Sequence, residues 1–374
     1  MQDVFDLIPK VELHCHVEGT IRPATVAELA QKNGRALPVD DLADLYVYDS
    51  LNGFLEIFWF VQEMLGDRDD WSRIAYESAV DAAPHGLRYR ETFFTPARHL
   101  EMGQDLGGIV AGLTEGLERA ETETGVRVML ILDIDRAFGA KAGLELVERL
   151  GELRRAGEAE RVIGIGMDST ELGVDPRDYA PAFELAGRSG LRRTAHAGED
   201  TGPDNISTSL DVLGIERVDH GLSALEDPEL TKRLVGERIP LTVCPNSNVM
   251  IANRVPTLSE HPFRRMREEG LLATLNTDDP AMTDLDLGKE YRSVAEALGM
   301  SFDDMAQVAL DGVEASWLDA TEERVLRARF ESELAQLRPR PVRRAVDPST
   351  ERSDLPASAA PAGRLVGTDD DVVP

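Results

Sequence analysis

Basic charge is what this sequence most lacks. Lys and Arg number 40 against 69 Asp and Glu, a formal net charge of −29 over 374 residues. A protein that neutralises nucleic-acid phosphates needs a basic face, so nucleic acid is not an expected partner. An anionic membrane surface repels so acidic a chain for the same reason. Long apolar runs are also missing, and none reaches the roughly 18 residues that crossing a bilayer requires. The opening residues, MQDVFDLIPKVELHCH, lack the basic segment and apolar stretch of a secretory signal. Two cysteines in this length argue against a disulfide framework and fit a reducing cytoplasm, the expected compartment.

What is present is an alternation of element types, without any repeat of fixed period. Short β-branched, apolar runs recur at Val11–His14, Leu87–Phe94, Val126–Ile134, Val162–Met167, Leu191–His196, Arg217–His220, Ile239–Cys244 and Leu271–Asn276. Helical patterning lies between most of them, as in Leu106–Thr124 and Lys141–Arg155. Strands alternating with helices predict an α/β fold with a parallel sheet, and eight strands are the number that closes a (β/α)8 TIM barrel. An open doubly wound sheet is the competing arrangement. The long gap after strand one holds Pro23–Gly34, Ser50–Gly66 and Asp67–Ala82, which reads as a helical insertion, and further helices follow strand eight. The barrel domain is expected over residues 1–337. From Arg338 to Pro374 the chain turns to Pro, Ser, Ala and charge with no periodic apolar face, and reads as a disordered tail. Its basic run Arg338–Arg344 reads as solvated linker.

Of the seven histidines, four stand at the C-terminal ends of strand candidates, where barrels place their chemistry. In Leu13-His14-Cys15-His16, positions two apart on a strand share a face, so both imidazoles can turn to one site. Cys15 then points the other way, as a small buried side chain. Thr194-Ala195-His196-Ala197-Gly198-Glu199 ends the fifth strand and supplies a third imidazole. Asp219-His220-Gly221 ends the sixth. Asn276-Thr277-Asp278-Asp279-Pro280 follows the eighth, and its adjacent carboxylates are costly together unless a cation neutralises one. His14, His16, His196 and Asp278 form a nitrogen- and oxygen-rich set that suits one Zn2+ better than Mg2+ or Ca2+. Glu199, His220 and Asp279 are then free for proton transfer and orientation.

These runs, with Cys244-Pro245-Asn246-Ser247-Asn248, resemble the adenosine/adenine deaminase family of the amidohydrolase superfamily over about residues 5–335. The resemblance implies that His14, His16, His196 and Asp278 hold zinc and that Glu199 protonates the purine at N1. It implies that His220 orients and activates the attacking water, and that Asp279 accepts a hydrogen bond from it. The product is the 6-oxo purine and ammonia. Adenosine, or deoxyadenosine, is the principal substrate so implied, and free adenine the alternative. Two positions lean to the alternative. Glu18 stands where nucleoside-acting members carry Asp, and Asp168-Ser169-Thr170-Glu171 is similar to the adenine-acting branch. Glu171 would narrow the sugar side and take a hydrogen bond from a free-base N–H. In the inserted helix, Phe54 and Phe58 are one turn apart; they either face the purine or pack on the barrel. His85, His99 and His261 are expected in structural or surface roles. A catalytically inactive purine-binding protein is a third reading, opposed by the complete ligand and acid/base set.

Overall fold

The structure is a computed structural model that describes residues 3–48, 51–251 and 254–338. Of the expected tail only Arg338 falls within the described residues, where it follows the last helix and pairs with Asp303 at 2.9 Å.

Eight parallel strands run in sequence order: β1 (Lys10–Glu12), β2 (Leu87–Phe94), β3 (Arg127–Asp135), β4 (Val162–Asp168), β5 (Arg192–Ala197), β6 (Arg217–His220), β7 (Pro240–Val243) and β8 (Leu272–Leu275). The expected (β/α)8 barrel is present, with every strand boundary within two residues of its sequence assignment. Buried on both faces, the strands read as near-continuous apolar runs, as parallel sheets require. The ladder of β1 stops two residues early. The chain stays extended past it because Phe93 N donates to Cys15 O at 2.9 Å and Val17 N to Phe93 O at 3.0 Å. On the other side, His16 N donates to Asp278 O at 2.9 Å and Asp278 N to His14 O at 3.2 Å. These last two bonds close the barrel between its first and last strands.

The insertion after β1 consists of helices Pro23–Lys32, Leu51–Glu63 and Arg68–Ala82. The third starts on an Asp67 cap that accepts from Asp69 N and Asp70 N. Helix Leu106–Thr124 matches its sequence assignment and ends on left-handed Gly125. Helices Phe302–Ala315 and Ala320–Leu337 each begin with a capping box, Ser301 with Asp304 and Asp319 with Glu322. Among the described residues no helix is long and apolar enough to cross a membrane.

The barrel interior is polar at its floor. Arg217 and Glu91, both fully buried, pair at 2.6 Å. The guanidinium lies over the Trp317 ring at 4.0 Å, and Trp317 N and Tyr89 OH donate to Glu91 Oε1 at 2.6 and 3.1 Å. These bonds fill the acceptor capacity of Glu91, and removing one partner of a buried pair leaves a bare charge costing about 3–5 kcal/mol. Glu91→Leu and Arg217→Met are each expected to lose that much stability in urea unfolding, and the double variant to lose less than either. Midpoints equal to wild type in the single variants would remove the pair from this account.

Candidate active site

The C-terminal ends of the strands gather His14, His16, His196 and Asp278, all buried, with one donor atom from each within 4.8 Å of the others. Asp278 Oδ1 lies 3.2 Å from His14 Nε2 and 3.4 Å from His16 Nε2. The outer nitrogens are held from behind. His14 Nδ1 is 3.0 Å from Thr242 Oγ1, and His196 Nδ1 is 3.1 Å from Met167 O. Thr242 in turn donates to Asp219 Oδ1 at 2.8 Å, and Thr194 to Asp219 Oδ2 at 2.7 Å. Ser247 Oγ donates to Asp278 Oδ2 at 2.5 Å. Such outer bonds fix ring tautomers and aim the inner nitrogens.

This set fits a divalent metal. His14 Nε2 is buried with no hydrogen-bond partner, an expensive state for an imidazole nitrogen that a cation relieves. Burial pushes His16 down to about 3 and His196 well below the ordinary range, so both rings are neutral. Burial opposes ionisation of Asp278, but His14, His220 and His16 outweigh it and hold the carboxyl well below its usual range. Neutral imidazoles and an ionised carboxylate are the forms that ligate.

Beside the cluster, His220 Nε2 stands 3.5 Å from Glu199 Oε2. Asn248 Nδ2 reaches both groups, 3.3 Å from Glu199 Oε1 and 3.1 Å from His220 Nδ1. Glu199 is raised to about 7, chiefly by burial, against the pull of His220. Burial and Asp278 hold the Asp279 carboxyl well above its usual range. Asp279 rests on the backbone of Gly19, where an added Cβ would sit 1.9 Å from Oδ1. Two site residues, His220 (φ 61°) and Asp278 (φ 65°), adopt the left-handed conformation that side chains other than glycine avoid. Strain of this kind persists where surrounding bonds over-determine it.

Glu18 is fully buried. Its Oε1 accepts from Thr95 N at 2.9 Å, its Oε2 has no partner, and burial raises it to about 7. Asp168 accepts from Thr95 Oγ1 at 2.6 Å, leaves Oδ1 unpartnered, and is raised to about 8 by burial and by Asp135. Phe54 and Phe58 stack on each other at 5.8 Å, with Phe54 buried and Phe58 half-buried. Their helix touches the Glu18–Thr20 turn. His85 lies 3.2 Å from both Asp6 and Asp286, away from the cluster, and His99 packs edge-on against Trp71.

Glu171 is placed differently from its sequence reading. Oε1 accepts from Glu199 N at 2.8 Å and Asp200 N at 3.3 Å; Oε2 accepts from Gly198 N at 2.8 Å and from Thr201 Oγ1. A carboxylate has about four acceptor sites, and all are taken by the loop that carries Glu199. None is left for a substrate N–H. Burial works against its charge, but Thr201, Arg136 and the amides win and keep it below the ordinary range. Gly198 makes the loop possible: its φ is 72°, and a Cβ there would meet Ser223 Oγ at 2.4 Å.

Sequence reasoning gave no role to Asp219, Thr194, Thr242, Ser247, Asn248 or Arg254. Thr194 and Thr242 were legible in principle, as inward positions on β5 and β7. Arg254 was not, because it reaches Glu199 O (3.0 Å) and Thr201 O (2.6 Å) from a distant loop.

Residues 9–333 match the family model described as adenosine deaminase. An adenine deaminase of Streptomyces coelicolor is 38% identical over 334 residues, 88% of this chain and 96% of the relative. The crystal structure of adenine deaminase from Arthrobacter aurescens superposes with a TM-score of 0.82 at 32% identity, covering 87% of this chain and 99% of that one. An amidohydrolase from Burkholderia ambifaria with bound zinc gives 0.84 at 31%, covering 89% and 92%.

The Glu171 clamp is testable without reference to activity. A hydrogen bond to a charged group contributes about 1.5–3 kcal/mol, or roughly one to two decades in an opening equilibrium. In Glu171→Leu, the Gly198, Glu199 and Asp200 amides should therefore exchange with deuterium faster by about that factor, with β2 and β3 amides unchanged. Unaltered exchange at the three amides would show that the loop is held by something else.

Proposed function

Because the chain belongs to the adenosine deaminase family and is a hydrolase of C–N bonds in cyclic amidines, we propose that its substrate is free adenine, converted with water to hypoxanthine and ammonia. The sequence reading put adenosine first. The curated relatives named adenine deaminase move the weight to the alternative, and Glu18 supplies the physical support. It is a fully buried carboxyl with one oxygen fixed by Thr95 and the other unpartnered. Free adenine brings an imidazole N–H that a nucleoside has exchanged for its glycosidic bond. Asp168, also with an unpartnered oxygen, is assigned to the same side of the base. Phe54 and Phe58 are assigned to the mouth.

His14, His16, His196 and Asp278 are the proposed ligands of one zinc ion per chain, in keeping with the zinc-bound structural relative. When bound, zinc lowers the pKa of water toward ~7 and so furnishes a nucleophile at neutral pH. Glu199, raised to about 7, holds a proton that it can deliver to N1 of the base. Protonation there draws electron density from C6, and the water oxygen adds to that carbon. His220 orients the attacking oxygen, and Asp279 hydrogen-bonds to it. The C6–N6 bond then breaks as the added hydroxyl becomes the 6-oxo group: its proton passes to N6, which leaves as ammonia, and the water's other proton restores the one Glu199 gave to N1.

Steady-state kcat/KM should favour adenine over adenosine by at least about tenfold. A ratio below one would return the assignment to the nucleoside. Ammonia release should stop on chelation and return with added zinc; turnover by metal-free protein would overturn the ligand assignment. Glu199→Gln should keep its metal and fold but lose about two to four decades in kcat, the span of a general acid. Near-native turnover would remove Glu199 from that role.

A further inference from the structure

His261, which the sequence reading set aside, is buried behind the site, between the 258–260 turn and helix Phe263–Glu268. Phe263 N donates to its Nδ1 at 3.1 Å. A backbone N–H can only donate, so Nδ1 accepts and carries no proton. The ring proton of neutral His261 is therefore on Nε2. That nitrogen faces Asn248 Oδ1 at 3.3 Å, which makes the amide oxygen the acceptor. Burial, aided by His220, depresses His261 to about 4 and keeps the ring neutral at physiological pH.

The orientation of Asn248 follows. With Oδ1 turned to His261, its NH2 group must face the site, where it meets Glu199 Oε1 and His220 Nδ1. The reversed amide would set oxygen against the Glu199 carboxyl oxygen and nitrogen against the His261 N–H. His220 Nδ1 is then an acceptor and carries no proton, so the ring's proton sits on Nε2, facing Glu199 Oε2 at 3.5 Å. The two groups that flank the metal-ligand cluster thus take their hydrogen-bonding sense from a ring that touches neither.

We propose that His261 is a positioning residue, acting through Asn248 to hold His220 in its Nε2-protonated form and to aim His220 at the attacking oxygen and Glu199 at N1 of the base. The proposal rests on the deaminase reading above for its catalytic consequence, but the tautomer relay can be read without substrate. His220 enters the reaction as a hydrogen-bond donor at Nε2 rather than as a base at that atom. Gln at position 261 can offer an amide N–H to Asn248 Oδ1; Leu fills the space without a donor.

The test uses metal-loaded protein with 15N-labelled histidine, the His220 ring assigned by substitution. Wild type should show a bare, pyridine-like Nδ1 and a protonated Nε2 at His220, and likewise at His261. His261→Leu should lose the single His220 tautomer and lower kcat on adenine by about tenfold or more, with KM and metal content within about twofold. His261→Gln should restore the tautomer and most of kcat. A protonated Nδ1 on His220 in wild type overturns the relay, as does wild-type kcat in His261→Leu or an equal loss in both variants. If His261→Leu does not fold, the wild-type spectrum and His261→Gln decide. A chain that fails to deaminate adenine refutes the substrate reading alone, since the spectra are recorded without it.

Discussion

Two backbone hydrogen bonds across the seam between β1 and β8, His16 N to Asp278 O and Asp278 N to His14 O, carry both the closure of the barrel and the assembly of its site. Three of the four clustered donors stand on the residues that make those bonds. Their side chains meet because the seam is in register: His14 and His16 flank the bridge from Cys15 to Asp278. A slip of one residue would turn both imidazoles away from the axis. Left-handed φ at Asp278 is one cost of that arrangement. The seam bonds, the Ser247 hydrogen bond and the two imidazoles together hold it.

Charge inside the barrel is graded along its axis. At the floor, Glu91 and Arg217 neutralise each other and every Glu91 oxygen has a donor. One layer higher, Asp219 sits between two threonine hydroxyls, still near Arg217 at 3.9 Å. At the open end the compensation stops: Glu18, Asp133, Asp168 and Asp279 all keep unpartnered oxygens. Polar groups left unmet in a folded core are costly. Unpartnered atoms remain lower down as well, at Glu12 Oε2, Arg90 Nε and Arg217 Nε and Nη2, so the open end is not alone in lacking compensation.

The sequence made the skeleton legible because parallel barrel strands are short apolar runs with a fixed place for chemistry at their ends. That rule located His14, His16, His196, His220, Glu199 and Asp278 without any knowledge of tertiary contacts. The substrate contact that the family resemblance implied for Glu171 is a different case, since a carboxylate after β4 looks the same in sequence whether it faces a ligand or ties down a neighbouring loop. Only the count of its four donors separates the cases. Asn248, His261 and Arg254 were beyond reach for a related reason. Asn248 and Arg254 act on partners far away in the chain, and His261 acts only through Asn248, so a buried histidine in a helix-rich stretch carries no local mark of that role. The two readings of Phe54 and Phe58, purine contact and packing on the barrel, stay side by side: the rings stack on each other, with Phe54 in the core and Phe58 packed against it.

The acidity of the chain takes on a sharper meaning against this interior. Glu18, Asp133, Asp168, Asp279 and Glu199 are all pushed upward, with burial as the leading cause. Protons on such groups reduce the negative charge that the site itself presents. Asp278 is the exception, since the imidazoles around it keep it ionised. Much of the formal −29 therefore belongs to the outer surface, where it repels anions at long range and leaves neutral molecules unaffected. A neutral purine base approaches such a surface without penalty, whereas a phosphorylated one meets a field of its own sign. The proposed free-base substrate fits such a surface, and under that proposal the buried carboxyls, Glu18 among them, need only distinguish one neutral base from another.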